Sequence, residues 1–179
     1  MLLIYIYLIY WVISSLLTTF LCLKHFWNGG FFLPKFGNLT MNTPTWILLA
    51  FAGWTLLILF STVGVYRWSR ILTGRATISE WQAGQPQGSD WYQRAMAAHR
   101  NCIENLPVFA AIVIAINQLG LNSQLLDYLA IGVFIARIAQ SLIHICLVQS
   151  DRVATWRFVF FFTQIIAMIA MGIYIVLKV

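Results

Sequence analysis

Long apolar segments that carry almost no charge dominate the sequence. A transmembrane helix needs about 20 such residues, because in lipid every backbone polar group must be hydrogen-bonded within its own segment. Five segments meet this requirement, and together they predict a multi-pass membrane protein. They are Met1–Leu23, Pro44–Tyr66, Ala98–Gln118, Leu125–Val148 and Thr155–Leu177.

The composition excludes a soluble globular protein. Hydrophobic residues make up 61% of the chain and charged residues only 9%, too few charges to cover a soluble surface. The last four segments are closely spaced and joined by short connections, except for a long loop at residues 67–93 that contains Gly, Pro and Ser. We therefore expect an all-α integral membrane fold whose core is a single four-helix transmembrane bundle.

The first forty residues fit this bundle less well. Residues 1–40 form a hydrophobic extension that has neither a basic start nor a small-residue cleavage site, so they are a poor signal peptide. One interpretation is an extra N-terminal hydrophobic helix, which would put Lys24, His25 and Lys35 on the side opposite the arginines. The other is an extension upstream of a protein that starts at Met41. Either way, we expect residues 41–179 to form the four-span domain.

The distribution of arginine predicts the orientation in the membrane. Two loops carry the basic residues, and in a four-span bundle both lie on the same side, whereas the loop at residues 117–124 has no charge. The positive-inside rule places the arginine-rich side in the cytoplasm. The net charge of +6 is thus a topology signal, and it does not indicate nucleic-acid binding. The arginines concerned are Arg67, Arg70, Arg75, Arg94, Arg152 and Arg157.

Polar residues enter the second bundle span on one face. At about 100° per residue, Arg94, Arg100, Asn101 and Glu104 in "RAMAAHRNCIENLPVF" fall within an arc of about 120°. Arg100 and Glu104 are four residues apart and are predicted to pair along the helix. His99 points away from Asn101 and is expected on the outer face or at an interface.

The next two spans repeat this pattern. A polar stripe follows one face of the third span, and polar stripes do not face lipid. Cations outnumber acids in these stripes, so we expect either a small anionic ligand or polar partners across an oligomer interface. The residues are Arg137, Gln140, Ser141 and His144 in the third span, and Arg157 and Gln164 in the fourth.

The three cysteines carry no pattern of a disulfide framework or a metal site. Cys22, Cys102 and Cys146 lie in or beside apolar spans, without C-x-x-C spacing or clustered histidines. We interpret them as buried structural thiols.

These motifs resemble the MAPEG family, the membrane-associated proteins in eicosanoid and glutathione metabolism. The resemblance rests on "AHRN" followed by Glu104 and Pro107, which within the family is most similar to the microsomal prostaglandin E synthases. "TGR" after the first bundle span, "ARIAQSLIH" in the third and Arg157 in the fourth also match. It covers residues 44–178, leaving 1–40 without a counterpart.

The resemblance implies a homotrimer of four-helix subunits that binds glutathione between subunits near the cytoplasmic side. Asn101 and Glu104 match positions that contact glutathione, and Arg100 matches a largely structural position. Arg137 matches an arginine near the tripeptide, and His144 stands where a tyrosine contacts it. Gln140 stands where the most similar members have a histidine, and it completes the set of expected glutathione-binding residues.

Arg157 matches the arginine to which the family's mechanisms assign thiol activation. A guanidinium cannot deprotonate at neutral pH, so it favours the thiolate of glutathione, which would attack an apolar electrophile or peroxide from the bilayer. Besides Gln140, two further departures weaken the pattern, because Ala97 replaces an arginine and Phe161 replaces a tyrosine. Arg152 is the alternative to Arg157, and Arg75 aligns loosely.

Three functions are therefore open at this stage. The first is a glutathione-dependent transferase or peroxidase that is a multi-pass protein of the bacterial inner membrane. The second is a non-catalytic lipid-binding or scaffold member of the family, which the missing tyrosine favours. A channel or transporter comes last, because the sequence has no repeated halves or broken spans.

Overall fold

The computed structural model describes residues 41–81 and 88–178. They form four long helices, each long and apolar enough to cross a membrane. The predicted all-α fold with four bundle spans is confirmed, and the predicted span Met1–Leu23 lies outside the described residues. The helices are α1 (Thr43–Leu72), α2 (Asp90–Gln118), α3 (Gln124–Cys146) and α4 (Asp151–Lys178).

The helices do not stop where the apolar segments stop. α2 begins at Asp90, well before the predicted Ala98, because the side chain of Ser89 caps it by accepting a hydrogen bond from the Tyr92 amide. At the start of α4, Ser150 likewise accepts from the amide of Val153. Hydrophobicity finds the lipid-embedded part of a helix, whereas capping residues set its ends.

α1 changes its winding part-way along. Residues Leu59–Gly64 form a π-helical segment between two α-helical parts, Thr43–Ile58 and Val65–Leu72. Within this segment the hydroxyl of Thr62 donates a hydrogen bond to the backbone carbonyl of Ile58 at 2.5 Å. Such back-bonding satisfies a polar side chain inside an apolar span without a partner helix.

Short connections make consecutive helices antiparallel neighbours from α2 to α4. α3 and α4 share the most extensive contact. At the end of the bundle away from the arginines, Asn117 ties α2 to α1, because it accepts from Asn42 Nδ2 at 2.7 Å and donates to Thr45 Oγ1 at 2.8 Å. The basic loops between the described helices consequently lie at the other end, which we call the arginine-rich end.

The inward face of α2 is apolar for most of its length. Its buried residues recur every three or four positions, as expected for one face of a helix. Among these buried residues, Tyr92, Cys102 and Asn105 carry polar side-chain atoms, and the others are apolar. Phe109 packs against Phe51 of α1 with ring centroids 6.0 Å apart. The buried set is Tyr92, Ala95, Ala98, Cys102, Asn105, Phe109, Val113 and Ile116.

An aromatic cluster joins the described parts of the long loop to the arginine-rich end. Tyr66 stacks on Tyr92 with centroids 4.4 Å apart, and Trp81 meets both rings edge-on. Arg67 lies over Trp81 and donates from Nε to the Tyr92 hydroxyl at 2.6 Å. Gly88 passes close to the two tyrosines with φ +120°, where a Cβ would lie 2.8 Å from Tyr92 Cδ1. This cluster fixes where α2 enters the bundle.

Candidate functional site

The polar residues of α2 that were predicted to form a site are either exposed or half-buried in the subunit. Arg100 and Glu104 are exposed and Asn101 is half-buried. The predicted ion pair between Arg100 and Glu104 is wrong, since the ion pair found in the described ranges joins Arg94 to Asp90. Arg100 and Glu104 are both exposed, where pairing gains little, whereas Asp90 lies in the first turn of α2, one helical turn before Arg94.

His99 is not on the outer face of α2. Its ring is half-buried, lies against the backbone of Thr55 on α1, and has an enclosed Nδ1 without a hydrogen-bond partner among the described residues. The inward face of α2 therefore includes a residue that helical geometry placed opposite the polar arc. The reason is that α1 packs beside α2 on that flank.

The polar stripe of α3 lies inside the bundle, as its spacing predicted. Arg137, Gln140, Ser141 and His144 are all buried. Ser141 donates its hydroxyl to the Arg137 carbonyl at 2.8 Å and lies 3.6 Å from the thiol of Cys102. We call these four residues, together with Cys102, Asn105 and Gln164, the buried polar layer.

Arg137 is the most unusual member of the buried polar layer. Its side chain is 0% exposed, and none of its three guanidinium nitrogens has a hydrogen-bond partner in the described part of the chain. The guanidinium carbon lies 5.5 Å from the centroid of Phe51, a cation–π contact, and within electrostatic range of Cys102 and Glu104. A charge enclosed in this way is costly unless an anion approaches it.

Gln140 is held by a second buried amide. Gln164 on α4 is 0% exposed, and its Nε2 donates both to Gln140 Oε1 at 3.0 Å and to the backbone carbonyl of Phe160 at 2.9 Å. The sequence placed Gln164 on an inward face but indicated no contact for it. A hydrogen bond between residues of different helices leaves no periodic signal in either one.

Arg157 lies at the arginine-rich end, where α4 begins. It is half-buried, donates from Nη1 to Gln149 at 2.8 Å, and has an enclosed Nε that lacks a partner among the described residues. Arg157 and Arg94 are both within electrostatic range of His144. Arg152, the alternative considered from sequence, is exposed.

Two sets of charged or titratable side chains that include predicted site residues lie within electrostatic range of one another. One is Arg137 with Glu104 nearby, and the other is His144 with Arg157 and Arg94. Gln140 is joined to α4, whereas Arg100 and Asn101 have no hydrogen bond or ion pair within the described ranges. Enclosed guanidinium nitrogens without acceptors among the described residues occur on Arg94 and Arg157 at the arginine-rich end, and on Arg137 near the middle of α3.

The structure also shows the surroundings of Phe161 and Ala97, two positions where the chain departs from the family pattern. Phe161 is half-buried on α4 and packs edge-on against Phe162 at 5.8 Å, so no hydroxyl is present there. Ala97 is half-buried on α2. The exposed Arg75 and the arginines of the aromatic cluster, Arg67 and Arg70, lie at the same end of the bundle.

Comparison with known proteins places this geometry in a family. The MAPEG family model matches residues 44–177, more than half of the chain. The chain belongs to the MAPEG family. The match spans all four helices and every predicted site residue, and membership supports a membrane protein related to glutathione or eicosanoid metabolism. Searches of curated proteins and of solved structures found no match, and the family match does not distinguish between members within it.

Proposed function

We propose that this MAPEG protein is a glutathione-dependent transferase or peroxidase that acts on hydrophobic electrophiles or lipid peroxides. One observation carries the proposal: three arginines have enclosed guanidinium nitrogens that lack an acceptor among the described residues, Arg94 and Arg157 at the arginine-rich end and Arg137 near the middle of α3. Glutathione supplies two carboxylates and a thiol that can ionise, so it offers these donors the acceptors that they lack. Family membership supports the same ligand.

Arg157 is the residue that we assign to thiol activation. Its Nη1 donates to Gln149, and its enclosed Nε has no partner in the described residues, so part of the hydrogen-bonding capacity of the guanidinium is unused. A fixed positive charge favours the thiolate over the thiol, and in a site shielded by apolar helices that preference is screened less than in water. Asn101, Glu104, Arg100, Arg137, Gln140 and His144 form the proposed glutathione-binding set.

The chemistry requires only the thiolate and a second substrate from the bilayer. With an electrophile, the sulfur forms a bond to carbon while the leaving group departs with the electron pair of the broken bond. With a hydroperoxide, two glutathione molecules are oxidised to the disulfide, and the peroxide is reduced to an alcohol and water. Apolar substrates concentrate in lipid and would enter between the helices, which is the expected role of the surrounding membrane.

Assembly into a homotrimer accounts for the exposed polar residues of α2. Arg100 and Glu104 lie on the surface of a single subunit, yet Glu104 is about half-way along a membrane-spanning helix. Ionised groups that face lipid at that depth are costly, so a neighbouring subunit that covers them would be favoured. We propose the bacterial inner membrane as the location because the connections between the spans are mostly short. We propose that the arginine-rich end faces the cytoplasm, because the described basic loops lie at that end of the bundle.

Titration of the detergent-purified protein with glutathione at neutral pH tests the proposal. The expected result is a thiolate ultraviolet absorbance with a stoichiometry of about one per bound glutathione, lost in Arg157→Leu and retained in Arg152→Leu, the matched variant of an exposed arginine on the same helix. Loss in Arg152→Leu instead would move thiol activation to that residue. Absence of both thiolate signal and glutathione binding in the native protein would contradict the proposed function.

A second function is favoured by one specific residue. Phe161 provides a ring without a hydroxyl on α4, so the thiol has one hydrogen-bond donor fewer than the family pattern supplies. A non-catalytic MAPEG protein that holds a lipid-like ligand or serves as a scaffold would fit this change. Such a protein should show no thiol-dependent turnover with any electrophile or peroxide, even where glutathione binds.

A further inference from the structure

Gln164 has a fully defined orientation, although it lies outside the proposed glutathione-binding set. A backbone carbonyl can only accept a hydrogen bond, so the atom of Gln164 that lies 2.9 Å from the Phe160 carbonyl has to be the amide nitrogen. The same nitrogen lies 3.0 Å from the amide of Gln140. The ambiguity between oxygen and nitrogen that affects most side-chain amides is therefore removed at this position.

The orientation of Gln164 determines that of Gln140. Because Nε2 of Gln164 donates, the facing atom of Gln140 has to be its oxygen, and the Gln140 amino group then points away from α4. That amino group has no acceptor within the described ranges, and it is not among the fully enclosed unpaired atoms. It remains available to a ligand as a neutral donor.

Neighbouring residues show what kind of ligand such a donor suits. Within the buried polar layer, Arg137 and His144 flank Gln140 one helical turn away on either side, and both carry nitrogens without acceptors in the described residues. Arg137 and Gln140 thus present N–H donors without acceptors among the described residues, and a neutral His144 ring adds one donor and one acceptor nitrogen. A carboxylate is acceptor-only when ionised, so it matches the donors of Arg137 and Gln140.

We infer that Gln164 is a positioning residue that locks Gln140 with its amino group towards the ligand, and so selects a carboxylate-bearing ligand at this point of the site. The inference rests on the proposed function, since glutathione is the carboxylate-bearing ligand concerned. Gln164 itself acts through Gln140 and through the Phe160 carbonyl of its own helix. If the lock were absent, Gln140 could turn its oxygen towards the carboxylate, where two acceptors would repel each other.

A double-mutant cycle on glutathione affinity tests this inference. The variants are Gln164→Met, Gln140→Met and the pair, because methionine keeps the length of the side chain while removing the amide. Each single change is expected to raise the dissociation constant by about fivefold to tenfold, and the pair by no more than Gln140→Met alone. The effects are non-additive because Gln164 has nothing left to position once Gln140 has no amide.

A matched control and a stability measurement separate positioning from simple packing. Thr163→Val removes a neighbouring hydroxyl that bonds only within α4, to the Val159 carbonyl at 2.9 Å, and should leave glutathione affinity unchanged. Thermal unfolding of the same ligand-free variants should show destabilisation by Gln164→Met whether or not it positions Gln140, so only the affinity cycle reports the proposed role.

The outcomes distinguish this inference from the proposed function. If native protein binds glutathione and the two single changes add in the pair, or Gln164→Met leaves the affinity unchanged, Gln164 does not position Gln140 and the inference is overturned. If native protein does not bind glutathione at all, the proposed function fails and takes the inference with it. Non-additive losses with an unaffected Thr163→Val variant would support the positioning role of Gln164 and the glutathione binding on which it rests.

Discussion

The guanidinium of Arg137 lies 5.5 Å from the centre of the Phe51 ring, inside a bundle that encloses its side chain completely. A cation–π contact of this kind contributes on the order of 2 kcal/mol when it is desolvated, less than the cost of enclosing the charge. The contact with Phe51 alone therefore does not balance the enclosed charge, although Cys102 and Glu104 lie within electrostatic range of it. This relationship links stability to ligand binding, and it leads to the first prediction.

Replacing Arg137 by an apolar residue should affect folding and binding in opposite directions. Arg137→Met removes an enclosed charge without a hydrogen-bond partner in the described residues, so the ligand-free protein should unfold about 4 °C higher or more. The same variant should bind glutathione at least about tenfold more weakly. Differential scanning calorimetry and isothermal titration calorimetry measure the two effects. A lower unfolding temperature would show that Arg137 has a structural partner.

Truncation of the exposed polar residues of α2 should weaken glutathione binding without unfolding the subunit. Asn101→Ala and Glu104→Ala remove side chains that are half-buried or exposed in one subunit, so neither leaves a cavity in the core. We expect each to raise the dissociation constant about tenfold by calorimetry.

The control for these two variants is Ile103→Ala on the same helix, which is 51% exposed and apolar. It should leave the affinity within about twofold. Native mass spectrometry of the same samples reports assembly, and the trimer should lose population in Glu104→Ala if a neighbouring subunit covers that carboxylate. Unchanged affinity for both truncated variants would place the glutathione site elsewhere.

Substitution of Gly88 should loosen the aromatic cluster that holds the long loop. Gly88→Ala places a methyl group 2.8 Å from Tyr92 Cδ1 at φ +120°, a backbone conformation that L-residues rarely adopt. We expect a loss of about 1–3 kcal/mol in the free energy of unfolding, measured by chemical denaturation in detergent. Gly53→Ala is the matched control, because a Cβ there meets nothing within 4 Å, and it should be neutral or stabilising.

Restoring a hydroxyl at position 161 should strengthen thiol activation. Phe161 is half-buried on α4, and a tyrosine there adds one oxygen to a ring of the same shape. A hydrogen bond to a thiolate contributes roughly 1.5–3 kcal/mol, so Phe161→Tyr should raise thiol-dependent turnover about tenfold or more if the thiol lies within reach. The neighbouring exposed ring serves as the control, as Phe162→Tyr should leave turnover unchanged. Equal rates in all three proteins would separate Phe161 from the reacting thiol.

Much of the polar layer could be predicted from sequence, because helical periodicity alone brings residues three or four apart onto one face. Arg137, Gln140, Ser141 and His144 are buried together as their spacing indicated. The polar arc of α2 could not be resolved in the same way. Periodicity shows that residues share a face, but it does not show which neighbour that face meets, and Arg100 and Glu104 lie at the surface of the subunit.

The sequence by itself determined that the described helices are membrane spans and that there are four of them. The reason is that long apolar segments with few charges are stable as helices in lipid. It also determined which end carries the arginines. Only the tertiary structure decided which polar atoms meet: the bond between Gln164 and Gln140, the enclosure of Arg137 over Phe51, and the absence of a pair between Arg100 and Glu104. These contacts depend on the rotation of each helix about its axis, which packing against the neighbouring helices sets.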